Sequence, residues 1–512
     1  MLPRYDAEAA TAMATATARP NEDVSGAIDG ETYLSRNRWG ELSELASGDA
    51  DIAHAAIQDI ERWIADHVDR NDAAWEAYSA CERVANSLVF FSSLPRNSSP
   101  CPITAAYVAF LRESLEWIYC HIEYYGIRRT NNHILNNARA LVMGGAMLSD
   151  SAVLAAGVKL FRAFLPHLVT DSGFLRERSS HYQLVVMNWL LDARAFLRAS
   201  GSTNVEDESF IETYVARMSE ATAMLLNQNN QLGGLIGDVS PDATPQQSVT
   251  RLARLYPEVW PPRRRNVQAC TISDGWFRLS AANGFVLGNF LEGCFPPSFP
   301  THGHNDLTGF VWSHEGTTVL TDPGRFRYTP DQCSLLQKSA SAHNVPLVDG
   351  FPAFSESFLD SGQLWPRPYA VAEATMKKYG NGIELAHDGY ARSTSVKRHT
   401  RKITLVGNGL EVVDTFYGDG AVEINFFWHF GGEYASFDKA KMIAQSPTSS
   451  VLVQLLDPET HRSSEYQMCE TVAIPESHSY GECRPTIGLR VQTTVSLPAS
   501  ILTCFTVEPC AA

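Results

Sequence analysis

The hydrophobic period of the chain changes once, near residue 260, and that change fixes the outline of the fold. Before it, apolar residues recur at helical spacing. Ile57, Ile60, Trp63 and Ile64 share one face of residues 51–67, and Trp75, Tyr78, Val84 and Leu88 share one face of 71–94. A Pro/Ser/Asn turn at 95–102 precedes another apolar helix through Tyr107, Phe110, Leu111, Leu115 and Ile118. Helices are also predicted over 133–148, 151–165, 180–197 and 206–226, about seven in all, joined by turns short enough for antiparallel hairpins. Tyr256-Pro257 and residues 261–265 read as a linker. Beyond it, β-branched and aromatic runs alternate with Gly, Asn, Asp and Pro at 276–279, 285–291, 308–312, 317–320, 400–406, 410–416, 424–430, 451–455 and 487–495. Such spacing predicts an antiparallel sandwich or stacked sheets, with further strands after 435.

At 512 residues the chain exceeds one ordinary core, so more than one domain is expected. The formal charge of -16 argues against a nucleic-acid partner, and Arg263–Arg265 read as a solvated linker. An anionic substrate is not excluded: screening acts over roughly 8 Å, so cations inside a cleft can attract it locally. Ten cysteines include no Cys-x-x-Cys pair, which leaves no zinc finger or thioredoxin-like motif. Residues 1–30 are Ala/Thr-rich and acidic, without an apolar leader, and are expected to be disordered. No uninterrupted apolar stretch is long enough to cross a membrane. The expected location is the cytoplasm, or the periplasm or exterior if a leader has been removed.

Three short stretches carry chemistry. In Thr301-His302-Gly303-His304-Asn305-Asp306 the two histidines fall on one face of an extended chain. With Asp322 at the end of the next strand and His343 beyond, they could close around one divalent ion, for which imidazole and carboxylate suit zinc. Asn131-Asn132-His133, at a helix start, offers hydrogen bonds or a cap. Arg178-Ser179-Ser180-His181-Tyr182-Gln183 opens another helix with an imidazole and a phenol in its first turn.

Together with Leu235-Ile236-Gly237-Asp238, Ala342-His343-Asn344 and His387-Asp388-Gly389-Tyr390, these motifs resemble the heparinase II/III-like polysaccharide lyases, in matching order over roughly residues 130 to 430. The resemblance implies a multidomain α+β chain: an incomplete (α/α) toroid over 31–262 and an antiparallel β-sandwich over 266–512. It also implies β-elimination at a uronic acid: loss of the C5 proton, expulsion of the 4-linked sugar and an unsaturated product. By similarity Asn132 and His133 would neutralise the substrate carboxylate, Tyr182 would be the acid and in some stereochemistries the base, and His302 the partner base. His181, Arg178, Arg325, Arg327 and Tyr390 would line the substrate site. A phenol titrating near 10 is a poor base, so Tyr182 is expected beside His133, His181 or an arginine. His304, Asp322 and His343 would hold one structural zinc ion, with Asp306 and Glu177 fixing histidine tautomers. A missing leader and a thinly basic lining favour a small uronate-containing oligosaccharide over a heavily sulfated polymer. The assembly is left open, a homodimer included. Two alternatives stand: a glycoside hydrolase on the same architecture, which would need paired carboxylates, and a non-catalytic carbohydrate-binding or assembly protein.

Overall fold

The computed structural model describes residues 30–43, 45, 50–94, 103–127, 129–201, 205–263, 269–290, 302–329, 331–353, 355–360, 363–367 and 373–509, with side chains at 355–367 left aside. The expected N-terminal disorder, the 95–102 turn, Arg264, Arg265, Leu291 and Thr301 lie outside this set.

Antiparallel helical hairpins build an incomplete (α/α) toroid, and nine α-helices precede residue 260 among the described residues. The two beyond the expected seven are Gly30–Arg36 and Pro245–Leu255. The second carries a complete capping box, Thr244 with Gln247, and Pro245 in its first turn, but too few apolar residues to show a clear period. The helix expected from residue 71 begins only at Ala77, because a short turn capped by Asp72 and an extended Glu76 interrupt it. Ser151–Leu168 is long and apolar enough to cross a membrane by length and composition alone, although Lys159 and Arg162 interrupt its apolar run. Here it packs on His133–Leu148, and a Cβ at Gly157 would lie 2.7 Å from the Ala138 carbonyl oxygen.

A buried polar chain locks the helices that present the site. Arg139 bonds Glu82 at 3.0 Å and Asp192 at 2.7 Å, and Arg251 reaches Asp192 at 2.9 Å. Four helices are thereby cross-linked, with His133 and Tyr182 in the first turns of two of them.

In the second half the strands of every sheet pair antiparallel among the described residues, with one isolated parallel bridge between Gly324 and Ser477. A five-stranded meander (270–320), an eight-stranded sheet centred on Val396–Val406, Gly409–Gly418 and Ala499–Pro509, and a four-stranded sheet around Ala421–His429 enclose one core. All nine expected strands have a counterpart. The one expected from Thr308 starts only at Val311, since Thr308 takes a left-handed φ of 72°. Strands at Ala374–Tyr379 and Gly382–His387 escaped the pattern because they mix charged or small residues with few apolar ones, whereas Met468–Glu476 is among the further strands expected after 435.

Under the loops of the site lies a fully buried triad. Asp414 accepts from His399 at 2.7 Å and from Arg401 at 2.8 and 3.0 Å, and Arg401 donates onward to the carbonyls of Thr308 (3.2 Å) and Asn344 (2.6 Å). Removing one member of a buried ion pair strands the other. Asp414→Ala should therefore lower the stability of the sandwich by about 3–5 kcal/mol in urea unfolding followed by tryptophan fluorescence; a loss below about 1 kcal/mol would show that the triad does not support these loops.

Candidate active site

The site lies where the helix starts meet the sandwich loops, and residues 236–238 stitch the two together. Ser180 N donates to the Ile236 carbonyl at 3.0 Å, Ser179 Oγ donates to the Asp238 carbonyl at 2.7 Å, and Asp238 N donates to the His302 carbonyl at 2.9 Å. Gly237 sits at φ 78°, where a Cβ would lie 2.5 Å from the His302 carbonyl oxygen, so only glycine lets the strands approach this closely.

Asp238 is the hub. Its buried carboxylate meets His302 Nδ1 at 3.1 Å and His304 Nε2 at 2.8 Å, with Lys338 at 3.6 Å and Arg325 at 3.7 Å. Burial alone would raise the carboxyl, but Lys338, Arg325 and the two imidazoles outweigh it and hold it well below the ordinary value. An ionised Asp238 assigns the proton of His302 to Nδ1. His302 Nε2 then faces Asn132 Nδ2 at 3.1 Å and Glu177 at 3.3 Å. Glu177 in turn accepts from both Asn132 N and Asn132 Nδ2 at 2.7 Å.

The His302 ring stacks on Tyr182 at 3.6 Å between centroids and 10° between planes. Tyr182 starts its helix under the cap of Ser179, and its hydroxyl lies 2.6 Å from that of Tyr328, which donates to the Val239 carbonyl at 3.2 Å. Burial pushes the Tyr182 phenol well above its ordinary value, against the opposing effect of Tyr328. The cation expected beside Tyr182 is absent from its hydroxyl among the described contacts: His181 lies 6.3 Å away between ring centroids, and burial drives its pKa down to about 3. As it stands, Tyr182 is a neutral phenol, hence a proton donor.

His133 behaves oppositely. Burial would lower its pKa, but Glu123, 2.7 Å from Nδ1, lifts it to about 9. Lys338, pushed by burial to about 8, and Arg325 face the same pocket of about 130 Å³. At neutral pH these three cations line it together with Arg38.

Of the residues expected at the substrate, His133, Tyr182, His302 and Arg325 line this pocket. Asn132 sits directly behind, fully buried, with its neighbour Asn131 forming the wall. The other four are elsewhere. His181 bonds Ser248 and the Ser240 amide; Arg178 bonds Asn289 and Asp306; Arg327 pairs with Asp331; and Tyr390, in the sandwich core, donates to the Pro346 carbonyl at 2.6 Å. Asp306 thus orders an arginine rather than a histidine. Tyr328 and Lys338 are absent from the expected set, and Asp238 appears there only as the end of the Leu235-Ile236-Gly237-Asp238 motif, with no role: Tyr328 closes the Arg325-Phe326-Arg327 run, while Lys338 has no local signal.

His304, Asp322 and His343 do come together, with potential ligand atoms within 4.8 Å of one another. Asp322 accepts from His343 Nδ1 at 2.8 Å, while buried His304 Nδ1 and His343 Nε2 have no protein partner. Two orphaned imidazole nitrogens beside a carboxylate fit a divalent ion of the zinc type, because buried polar atoms otherwise find partners.

Residues 273–500 match the family described as heparinase II/III-like, C-terminal. Over that stretch, a little under half of the chain, the protein is similar to this family. Over the whole chain, a solved heparinase III superposes with a TM-score of 0.68 at 14% identity, covering 99% of this chain and 85% of that one. A second heparinase III gene product gives 0.63 at 15% identity, covering 94% and 79%. Heparan sulfate lyase from Pedobacter heparinus gives 0.57 at 14% identity, covering 94% and 77%. At such identities the likeness is one of fold, helical toroid and sandwich together. No curated protein matches by sequence.

The His133–Glu123 pair makes a pH prediction. Its folded pKa is above the free value of 6.5, so its contribution to stability is complete below about 6.5 and is lost as pH rises through about 9. Glu123→Gln should move the His133 titration, followed by imidazole NMR, down toward or below 6.5. An unshifted titration would mean that Glu123 does not hold the charge.

Proposed function

We propose that the protein is a polysaccharide or oligosaccharide lyase that cleaves a uronate-containing glycan by β-elimination. One observation carries this reading: a neutral phenol, Tyr182, and an imidazole, His302, stack at 3.6 Å in a pocket lined by the cations His133, Arg325 and Lys338. Solved relatives named as heparinase III and heparan sulfate lyase support it.

The C5 proton of a uronate is weakly acidic, and its removal builds charge on the neighbouring carboxylate. His133 Nε2–H and the guanidinium of Arg325 are the groups that would meet this charge, and Asn131 and Asn132 complete the polar floor. Asp238 keeps the His302 proton on Nδ1, so Nε2 is the nitrogen free to accept one once substrate displaces the Asn132 amide. Tyr182, poor as a base while its phenol is buried, would deliver its proton to the leaving 4-oxygen. Its bond to Tyr328, and that of Tyr328 to Val239, holds the hydroxyl in place for this transfer.

A hydrolase would need two carboxylates free to flank the bond. Asp238 is bound by two imidazoles, Glu31 by Arg38, Glu123 by His133, Glu177 by Asn132 and Glu76 by the amides of Tyr78 and Ser79. The carboxylates around the pocket are thus engaged as structural anions.

We further propose that His304, Asp322 and His343 hold one zinc ion. When bound it supplies cross-linking of the sandwich loops, not a nucleophile. His304 donates its other nitrogen to Asp238, so ordering this cluster also orders His302.

Incubation with a panel of uronate polymers and oligomers should generate ultraviolet-absorbing unsaturated ends on at least one member; reducing ends without that absorbance would overturn the reading. Tyr182→Phe should lower kcat on that substrate by about 10²- to 10⁴-fold with an unchanged melting temperature, whereas near-normal turnover would remove Tyr182 from the chemistry. Metal analysis should find about one zinc per chain, and His343→Ala should lose metal and thermal stability together. Wild-type protein without stoichiometric metal would refute the zinc assignment.

A further inference from the structure

Beyond the reaction itself, we infer that the segment from Gly30 to Ser43 is an end wall of the catalytic pocket and makes the enzyme act from the end of its glycan. The inference rests on the lyase reading above.

Glu31, Leu34 and Arg38 of this segment line the same cavity as Tyr182 and His302, although about 150 to 270 residues separate them along the chain. They stand on the helical side, where an open cleft would let further sugars run on. The cavity of about 130 Å³ is well below the roughly 300–1,000 Å³ usual for ligand sites, which suits one terminal sugar and not a chain passing through.

The wall is fastened, not draped. Arg38 pairs with Glu31 at 2.8 Å and with Asp242 at 2.7 Å, donates from Nε to Ser79 Oγ at 3.1 Å, and lies over the Tyr78 ring at 4.6 Å. Asp242 also accepts from the Tyr78 hydroxyl at 2.8 Å, so the segment is tied to both the Ala77–Ser93 helix and the loop after Asp238. The main chain is held as well: Asn86 donates to the Arg38 carbonyl and Arg83 to the Asn37 carbonyl, each at 2.9 Å. Trp39 anchors the far end, edge-on to Trp63 at 5.2 Å and against Phe110 at 5.7 Å. Lifting the segment would strand a buried guanidinium and two carboxylates, which a polymer threading through the cleft could not readily repay. The wall is also acidic where Glu31 meets the cavity. Carboxylate oxygens accept from sugar hydroxyls, and a chain end offers a free hydroxyl where an internal residue has a glycosidic oxygen.

The test follows product size against extent of reaction, using the panel polymer that yields unsaturated product, separated by size-exclusion chromatography with ultraviolet detection. An end-acting enzyme gives only the smallest unsaturated product from the first time points, while the remaining polymer shortens slowly. An early ladder of intermediate oligomers would overturn the wall while leaving the lyase intact; no unsaturated product from any polymer would take both down. Leu34→Ala enlarges the wall side without touching the ion pairs and should shift early products to longer oligomers by at least severalfold. Arg38→Ala should do so more strongly. If Leu34→Ala and any folded Arg38→Ala protein both keep the wild-type product pattern, the segment does not set where the glycan is cut.

Discussion

Two imidazoles two residues apart, His302 and His304, share one buried carboxylate, Asp238, and the site is organised by that arrangement. A charge this deeply buried persists only because its partners surround it: His302 and His304 from one sandwich loop, Arg325 from the next, and Lys338 from the end of the Gln332–Lys338 helix. Each comes from beyond residue 300, whereas Asp238 belongs to the loop that caps the Ser180–Ser200 helix. The same carboxylate therefore binds toroid to sandwich, fixes the His302 tautomer, and turns His304 so that its Nδ1 faces Asp322 and His343. Asp414 repeats the device one layer down, where His399 and Arg401 neutralise it and Arg401 supports the loops from below.

Charge is segregated by the fold. The chain is strongly acidic overall, yet the pocket presents His133, Lys338 and Arg325, because each nearby carboxylate is consumed by a specific partner. Glu123 is engaged in keeping His133 protonated, and Glu177 in clamping Asn132. An anionic ligand then meets His133, paired with Glu123, and Lys338 and Arg325, which share Asp238, at short range, where screening and the net field matter little.

Much of this was legible in the sequence. The switch from helical to strand period gave the two-part architecture, and the order of His304, Asp322 and His343 on neighbouring strands and turns anticipated their meeting. His133 and Tyr182 were legible because polar and aromatic residues crowd two helix starts. What could not be read were pairings across the chain. Asp238 meets its histidines 64 and 66 residues away, and Tyr182 meets Tyr328 across 146. Neither has a local pattern to betray it. Arg178, His181 and Tyr390 show the converse. Their motifs look catalytic in one dimension, but Asp306, Ser248 and the sandwich core absorb them in three. A phenolate-stabilising cation beside Tyr182 followed from solution acidity alone; burial and a second phenol keep Tyr182 neutral, and the proposed reading therefore assigns it the acid's part and His302 the base's.

The division of labour between His302 and Tyr182 is meaningful only if the bond is broken by elimination. The direct measurement is product mass after reaction in water enriched in heavy oxygen. Elimination yields fragments whose masses sum to that of the substrate, with no label in either. Fragments that together gain one labelled water would mean hydrolysis, and the roles assigned to Tyr182, His302 and His133 would fall with it.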